Sequence, residues 1–417
     1  MCKPLIKVVL SSVVVLSILI ALFILLIYKP EDIPWKGQIK VGMITSLSGS
    51  GQSGGMSMKR GAELAMKNIN DNGGLNGFQL QLITIDDGGI PDNAEEAAKE
   101  LIFIENVKAL IGPFSNDCCL AIKGLVNICG IPLITPAAMS DQINQDDDYI
   151  FRNILGVTEA QTKVNSYSDF GTGEHLMLEG LGAKTLGICW QNDAWGHEMQ
   201  QMIMDDLIYM GKEEALLFNE PFQLDQTDFM DYFSEQERVF PDLIYILSSG
   251  AESIDLVRAA REAGFTGLFL GEGGFTYSDF DRELGAYADG CIFSTQWHPS
   301  FSTPMSDVFI KAYLAEYDDA PDMFTAMSYE AMYILKDSLL RTLHLIWRDD
   351  YKTLIRDDLA THRVMDGITG KIVFDSNGQC DRSVFIMRKK WDGRKVQSLI
   401  VFPSEYSQSN LKWSFDL

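Results

Sequence analysis

Basic residues are scarce in this 417-residue chain: Lys and Arg number 34 against 58 Asp and Glu, for a formal charge of -24. That balance excludes a nucleic-acid surface, which needs clustered cations, and describes a solvated acidic exterior instead. Histidine is scarcer still. His175, His197, His298, His344 and His362 are scattered, and none stands at a predicted strand end as a base. The 7 cysteines are odd in number and their spacings form no disulfide framework. Cys118 and Cys129 would lie at opposite ends of one helix, ~16 Å apart and too far to bridge. All seven read as small apolar residues. No Cys or His pair has metal-ligand spacing, and Asp146-Asp147-Asp148 lacks the glycine and terminal glutamate of a calcium loop. No metal is expected.

What the chain does have is one repeating unit from Gly37 to about Trp391: a short apolar strand, a turn, then an amphipathic helix. IKVGMITSLSG leads into MKRGAELAMKNIN, QLQLITIDD into NAEEAAKELIFIEN, and PDLIYILSSG into AESIDLVRAAREAG. Such alternation predicts an α/β fold with parallel sheets covered on both faces. Ligands of such sheets sit at the carboxyl ends of the strands, where small polar residues leave backbone N–H groups available. Those ends read SLSGSGQSGG, GPFSN, ITPAAMS, QNDAWG, LSSG and LGEGG. The length suits about two domains.

Two catalytic readings fail on spacing. Gly49 to Gly54 matches G-x-G-x-x-G, but the nearest strand-end acids, Asp86 and Asp87, come too late to hold a ribose. No nucleotide or other cofactor is expected. Gly51 to Gly55 also matches G-x-S-x-G, yet Ser53 follows the first strand, whereas a nucleophile elbow follows several. An α/β hydrolase is the remote alternative, and the expectation is a binding protein rather than an enzyme. Trp195, after the strand LGICW, is expected in a loop at the functional end.

The N-terminus stands apart. Lys3 and Lys7 precede an uncharged run from Val8 to Tyr28, close to the ~20 residues that cross a bilayer. No small-x-small cleavage site follows it. Residues 1–36 are therefore expected to form one N-terminal transmembrane helix that anchors an exported body, with a cleaved signal as the alternative.

In this register the chain resembles the leucine/isoleucine/valine-type periplasmic binding proteins of ABC transporters. The resemblance runs from about Ile39 to Trp391 through SLSGSGQSGG–GAELAMKNINDNGGLNG, IDDGGIPDNAEEAAKELI, IGPFSN, GIPLITPAA, FRN, DAWG, TDF, REAGF and GITGKIVFDSNG. It implies the type I periplasmic binding fold, two Rossmann-like lobes joined by three crossovers. Lobe 1 would take residues 37–156 and 296–381, and lobe 2 residues 157–295 and 382–417. It also implies a small-molecule ligand (an amino acid, an amide or an organic acid) held as the lobes close and passed to an ABC transporter permease. A ligand-sensing ectodomain reporting to a membrane partner is the alternative role. Carried over residue by residue, the ligand site would comprise Ser115 and Asn116, Ala137, Ala138 and Met139, then Trp195, Ser249 and Phe324. The acid that grips an α-ammonium falls at Gly273, with Glu272 one residue early.

Overall fold

The computed structural model describes residues 36–144, 148–165, 181–233, 239–301, 303–361 and 365–402. The expected membrane helix and the Asp146-Asp147 pair lie outside them. Among the described residues no helix is long and apolar enough to cross a membrane.

The chain first builds β1 (Gln38–Thr45), α1 (Gln52–Asp71), β2 (Gln79–Asp86), α2 (Pro91–Lys99), β3 (Leu110–Ile111), α3 (Asn116–Cys129), β4 (Leu133–Thr135) and β5 (Ile150–Arg152). These strands form one parallel sheet in the order β2-β1-β3-β4-β5. Apolar residues point to both of its faces, because α2 and α3 cover one and α1 the other. The glycine run at the start of α1 serves close packing. A Cβ on Gly55 would meet the Ser46 carbonyl oxygen at 1.8 Å, so only glycine lets this helix turn settle on the end of β1.

The second half continues through α4 (Val157–Asn165), β6 (Leu186–Gln191), α5 (Ala194–Met210), β7 (Leu216–Phe222), α6 (Met230–Phe233), β8 (Leu243–Leu247), α7 (Glu252–Glu262), β9 (Leu268–Gly271), α8 (Ser278–Leu284) and β10 (Ile292–Thr295). Next come α9 (Pro304–Tyr317), α10 (Met323–Thr342) and α11 (Tyr351–Thr361), the short hairpin β11 (Met365–Gly367) and β12 (Gly370–Ile372), then β13 (Phe385–Trp391) and β14 (Val396–Phe402). The second sheet runs β14-β13-β10-β9-β8-β6-β7. It departs from the all-parallel expectation at one edge, where β13 pairs antiparallel with β10 and β14 antiparallel with β13. The tight turn at Asp392 and Gly393 (φ +91) makes that hairpin possible.

The chain crosses between the sheets more than once. After β10 it returns to the first sheet, where α10 packs along α1 and shares its apolar cluster. Near Arg382 it goes back to the second. At these passages Arg152 donates from Nε to Gln379 Oε1 (2.5 Å) and from Nη1 to the carbonyls of Met139 and Ser140 (2.9 and 2.7 Å). Arg382 and Glu330 form an ion pair whose side chains are 3% and 1% exposed. Buried charges persist only when paired and hydrogen-bonded, and these are.

Candidate functional site

Both sheets have a topological switch point, β1 lying between β2 and β3 and β6 between β7 and β8. Chains leave such strands in opposite directions, opening a crevice at their carboxyl ends. The two crevices face each other. Between them lies a cavity of about 40 Å³ lined by Phe114, Asn116, Ala137 and Met139 from the first sheet's strand ends. Trp195, Ser249, Glu272 and Gly273 line it from the second, and Phe324 from the start of α10.

Eight of the ten residues expected from sequence therefore meet at one place. The other two do not reach it. Ala138 is fully buried in the core beneath β4, its N–H donating to Thr135 Oγ1 at 3.1 Å. Ser115 is the N-cap of α3, where its Oγ accepts from the Cys118 N–H. It lines a smaller adjoining chamber of about 20 Å³ that shares Phe114, Asn116 and Ser249 with the main cavity. Trp195 corrects a further expectation: it lies in the first turn of α5 and is 4% exposed, not in a loop. Asp193 starts that helix early by capping it, Oδ1 accepting from the Gly196 N–H at 2.8 Å.

The aromatic wall is built by contact. Phe114 and Phe324 meet edge to face with centroids 5.1 Å apart. A Cβ on Gly273 would stand 2.9 Å from the Phe324 ring, so a side chain there would push Phe324 out of place. Asn116 ties two strand ends together, its Oδ1 accepting from the N–H groups of Met139 (2.7 Å) and Ser140 (2.9 Å).

Glu272 is the one charged side chain among the residues lining the main cavity. Tyr245 of β8 donates to its Oε1 at 2.5 Å, and Ser294 of β10 to its Oε2 at 2.6 Å. Burial pushes this carboxyl up to about 7, although the two hydroxyl donors pull it back. In the adjoining chamber Asp193 is likewise raised by burial to about 7, and Glu252 is raised for the same reason. Glu252 is 4% exposed and its Oε2 has no hydrogen-bond partner.

Sequence reasoning missed Tyr245, Ser294, Gln296 and Met323. Ser294 carried the signal used elsewhere, a small polar residue at a strand end. Tyr245 had none, since it sits mid-strand and only the pairing of β8 with β9 brings it beside Glu272. Among the described residues no cluster of His, Cys, Asp and Glu could hold a metal ion.

The two halves touch directly around the cavity. Asp117 Oδ1 accepts from the Ala194 N–H (3.1 Å), and Glu198 accepts from the Ser140 hydroxyl (2.6 Å) and the Asp141 N–H (3.0 Å). The arrangement is closed.

Residues 38–395 match the model of the periplasmic binding protein family. The Leu/Ile/Val-binding protein of Escherichia coli is 23% identical over 340 residues, 82% of this chain and 87% of that one. Two solved structures share the fold. A branched-chain amino acid transporter substrate binding protein from Streptococcus pneumoniae, in complex with isoleucine, superposes with a TM-score of 0.74 at 22% identity, covering 87% of this chain and 99% of that one. A solute binding protein of an ABC transporter from Rhodopseudomonas palustris, in complex with benzoate, gives 0.75 at 20% identity, covering 87% and 96%.

Proposed function

Because the chain belongs to the periplasmic binding protein family, we propose that it captures a small polar solute between two closing lobes and delivers it to an ABC transporter permease. The observation that carries this reading is the cavity between the facing strand ends, to which both sheets contribute. A ligand that touches both halves favours the closed arrangement by its extra affinity for it. The relatives bind solutes as different as isoleucine and benzoate, so amino acids, amides and organic acids are the classes to test first. The site residues are those that line the two chambers. The lobes divide as residues 37–156 with 296–381, and 157–295 with 382–417.

An extracytoplasmic location goes with the family. The uncharged run from Val8 to Tyr28 supports a retained membrane anchor, so the protein stays with membranes after a high-salt wash. A mature N-terminus found between Tyr28 and Gln38 in soluble extract would remove the anchor and leave solute capture intact.

The deciding experiment is a thermal-shift screen of the detergent-solubilised full chain against amino acids, amides, organic acids and amines. A ligand at 100 times its dissociation constant adds ~2.7 kcal/mol of stability. No shift with any member of these classes would sink the reading.

A further inference from the structure

Most of the strand-end donors that could hold a ligand carboxylate are already engaged. The N–H groups of Met139 and Ser140 both donate to Asn116 Oδ1, and that of Ala138 to Thr135 Oγ1. The N–H and the hydroxyl of Ser249 both donate to Gln191 Oε1, at 2.9 and 3.0 Å. The Ser140 hydroxyl donates to Glu198. Two backbone N–H groups can only donate, so they fix the Asn116 amide with its oxygen turned away from a ligand. That leaves the Asn116 and Gln296 NH₂ groups, the Gly273 N–H and the Trp195 indole N–H, the last without a partner. None is charged.

The lining residues of the two chambers include no Lys, Arg or His. They include three carboxyls, Glu272 in the first chamber and Asp193 and Glu252 in the second. Glu272 is held in place by hydroxyls from the strands on either side, and Glu252 presents an oxygen that nothing satisfies. Phe114, Trp195 and Phe324 complete the wall of the first chamber. Aromatic faces and a desolvated carboxylate both attract an organic cation, and both disfavour a buried anion.

We propose that the solute captured here is a small organic cation, a protonated amine or amidinium without a carboxylate, whose charge rests on Glu272 beside Trp195 and whose second donor group reaches Glu252. Tyr245 and Ser294 are the positioning residues that aim the Glu272 carboxylate. This rests on the solute-capture reading and narrows it to a class that neither isoleucine nor benzoate represents. A cation binds the ionised form of Glu272, so binding below about pH 7 releases a proton. Tyr245 is the titratable group touching Glu272, and Asp193, the N-cap of α5, and Glu252, at the start of α7, are the ionisable groups lining the adjoining chamber.

The test is calorimetry on the detergent-solubilised full chain with isoamylamine, leucine and isocaproate, which share one branched chain and carry an ammonium, both groups, or a carboxylate. Putrescine and acetamidine extend the cation set. At least one cation should bind at least about tenfold more tightly than leucine, and isocaproate should not bind. Glu272→Gln should weaken the cation at least about tenfold, and Tyr245→Phe should weaken it while leaving the folded chain's melting temperature measurable as a control. Asn116→Ser frees the Met139 and Ser140 N–H groups, so preference should shift at least about tenfold toward leucine. If that variant does not fold, the ligand order of the unmodified protein still decides. Leucine or isocaproate binding as tightly as the best cation would overturn the proposal alone. No binding by these probes or by the wider metabolite screen would overturn solute capture and this proposal together.

Discussion

Two regions of this molecule bury charge in opposite ways. At the passages between the sheets, Glu330 meets Arg382, and Arg152 is surrounded by Gln379, two carbonyls and Asp141. In the cleft, Glu272, Asp193 and Glu252 have hydroxyl, amide and backbone donors but no cation among the lining residues. The first region is complete as folded. The second is left short of positive charge where a solute enters, and closing on a cation would supply it. The difference separates residues that hold the lobes in place from residues that select what the lobes hold.

The largest expected effect tests the first region. Glu330→Ala leaves Arg382 buried without its partner, which should cost roughly 3–5 kcal/mol of stability by chemical denaturation. A loss below about 1 kcal/mol, the scale of an exposed pair, would erase the contrast.

The next concerns pH. Burial raises Glu272 from 4.5 to about 7, so the folded ligand-free chain binds a proton more tightly than the unfolded one. Stability from this group is full below about pH 4.5 and is lost as pH rises to about 7, by at most roughly 3 kcal/mol. Asp193, raised in the same direction, adds to the slope. Burial lowers His298 to about 3, which slopes the other way, so the comparison is with Glu272→Gln: relative to that variant, the melting temperature of the unmodified chain should fall with pH across this window. An unchanged slope in that variant would mean that Glu272 is not the buried acid described here.

Within the cleft, Trp195→Ala removes an aromatic contact worth ~0.5–1.5 kcal/mol beyond buried area, together with the burial itself. Affinity for the solute should drop at least about tenfold, or ~1.4 kcal/mol. Unchanged affinity by calorimetry would take Trp195 out of the site. The smallest effect is expected at Ser115. Its hydroxyl caps α3, so Ser115→Ala should cost ~1 kcal/mol of stability, with a smaller change in affinity than Trp195→Ala. A larger affinity loss at Ser115 than at Trp195 would make the adjoining chamber the principal subsite.

Much of this was legible in the sequence. Because alternating periodicity and turn residues are local signals, the strand-turn-helix repeat located the helices Gln52–Asp71, Pro91–Lys99, Asn116–Cys129, Ala194–Met210 and Glu252–Glu262, but not Val157–Asn165 or Met230–Phe233. The polar strand ends pointed to the cleft for the same reason. Parallel strands bring their carboxyl ends to one side, and the family resemblance, carried over residue by residue, named Asn116, Ala137, Met139, Trp195, Ser249, Glu272, Gly273 and Phe324 there before any contact was known.

Tertiary structure decided the chemistry of that place. Whether Ala137 or Ala138 faces the cavity depends on the twist after β4, and composition cannot tell them apart. That Asn116 fills the donors of Met139 and Ser140, residues 23 and 24 positions away, depends on β3 and β4 lying side by side. Glu272 becomes a fixed, desolvated carboxyl only because β8 and β10 flank β9 and bring Tyr245 and Ser294 to its two oxygens. The sequence by itself determined which segments are strands and helices and which ends carry polar residues, because hydrophobic period and turn chemistry act over a few residues. Only the folded sheets decided which donors are spent and which charges are left unmatched, because hydrogen-bond satisfaction and burial are settled between residues far apart in the chain.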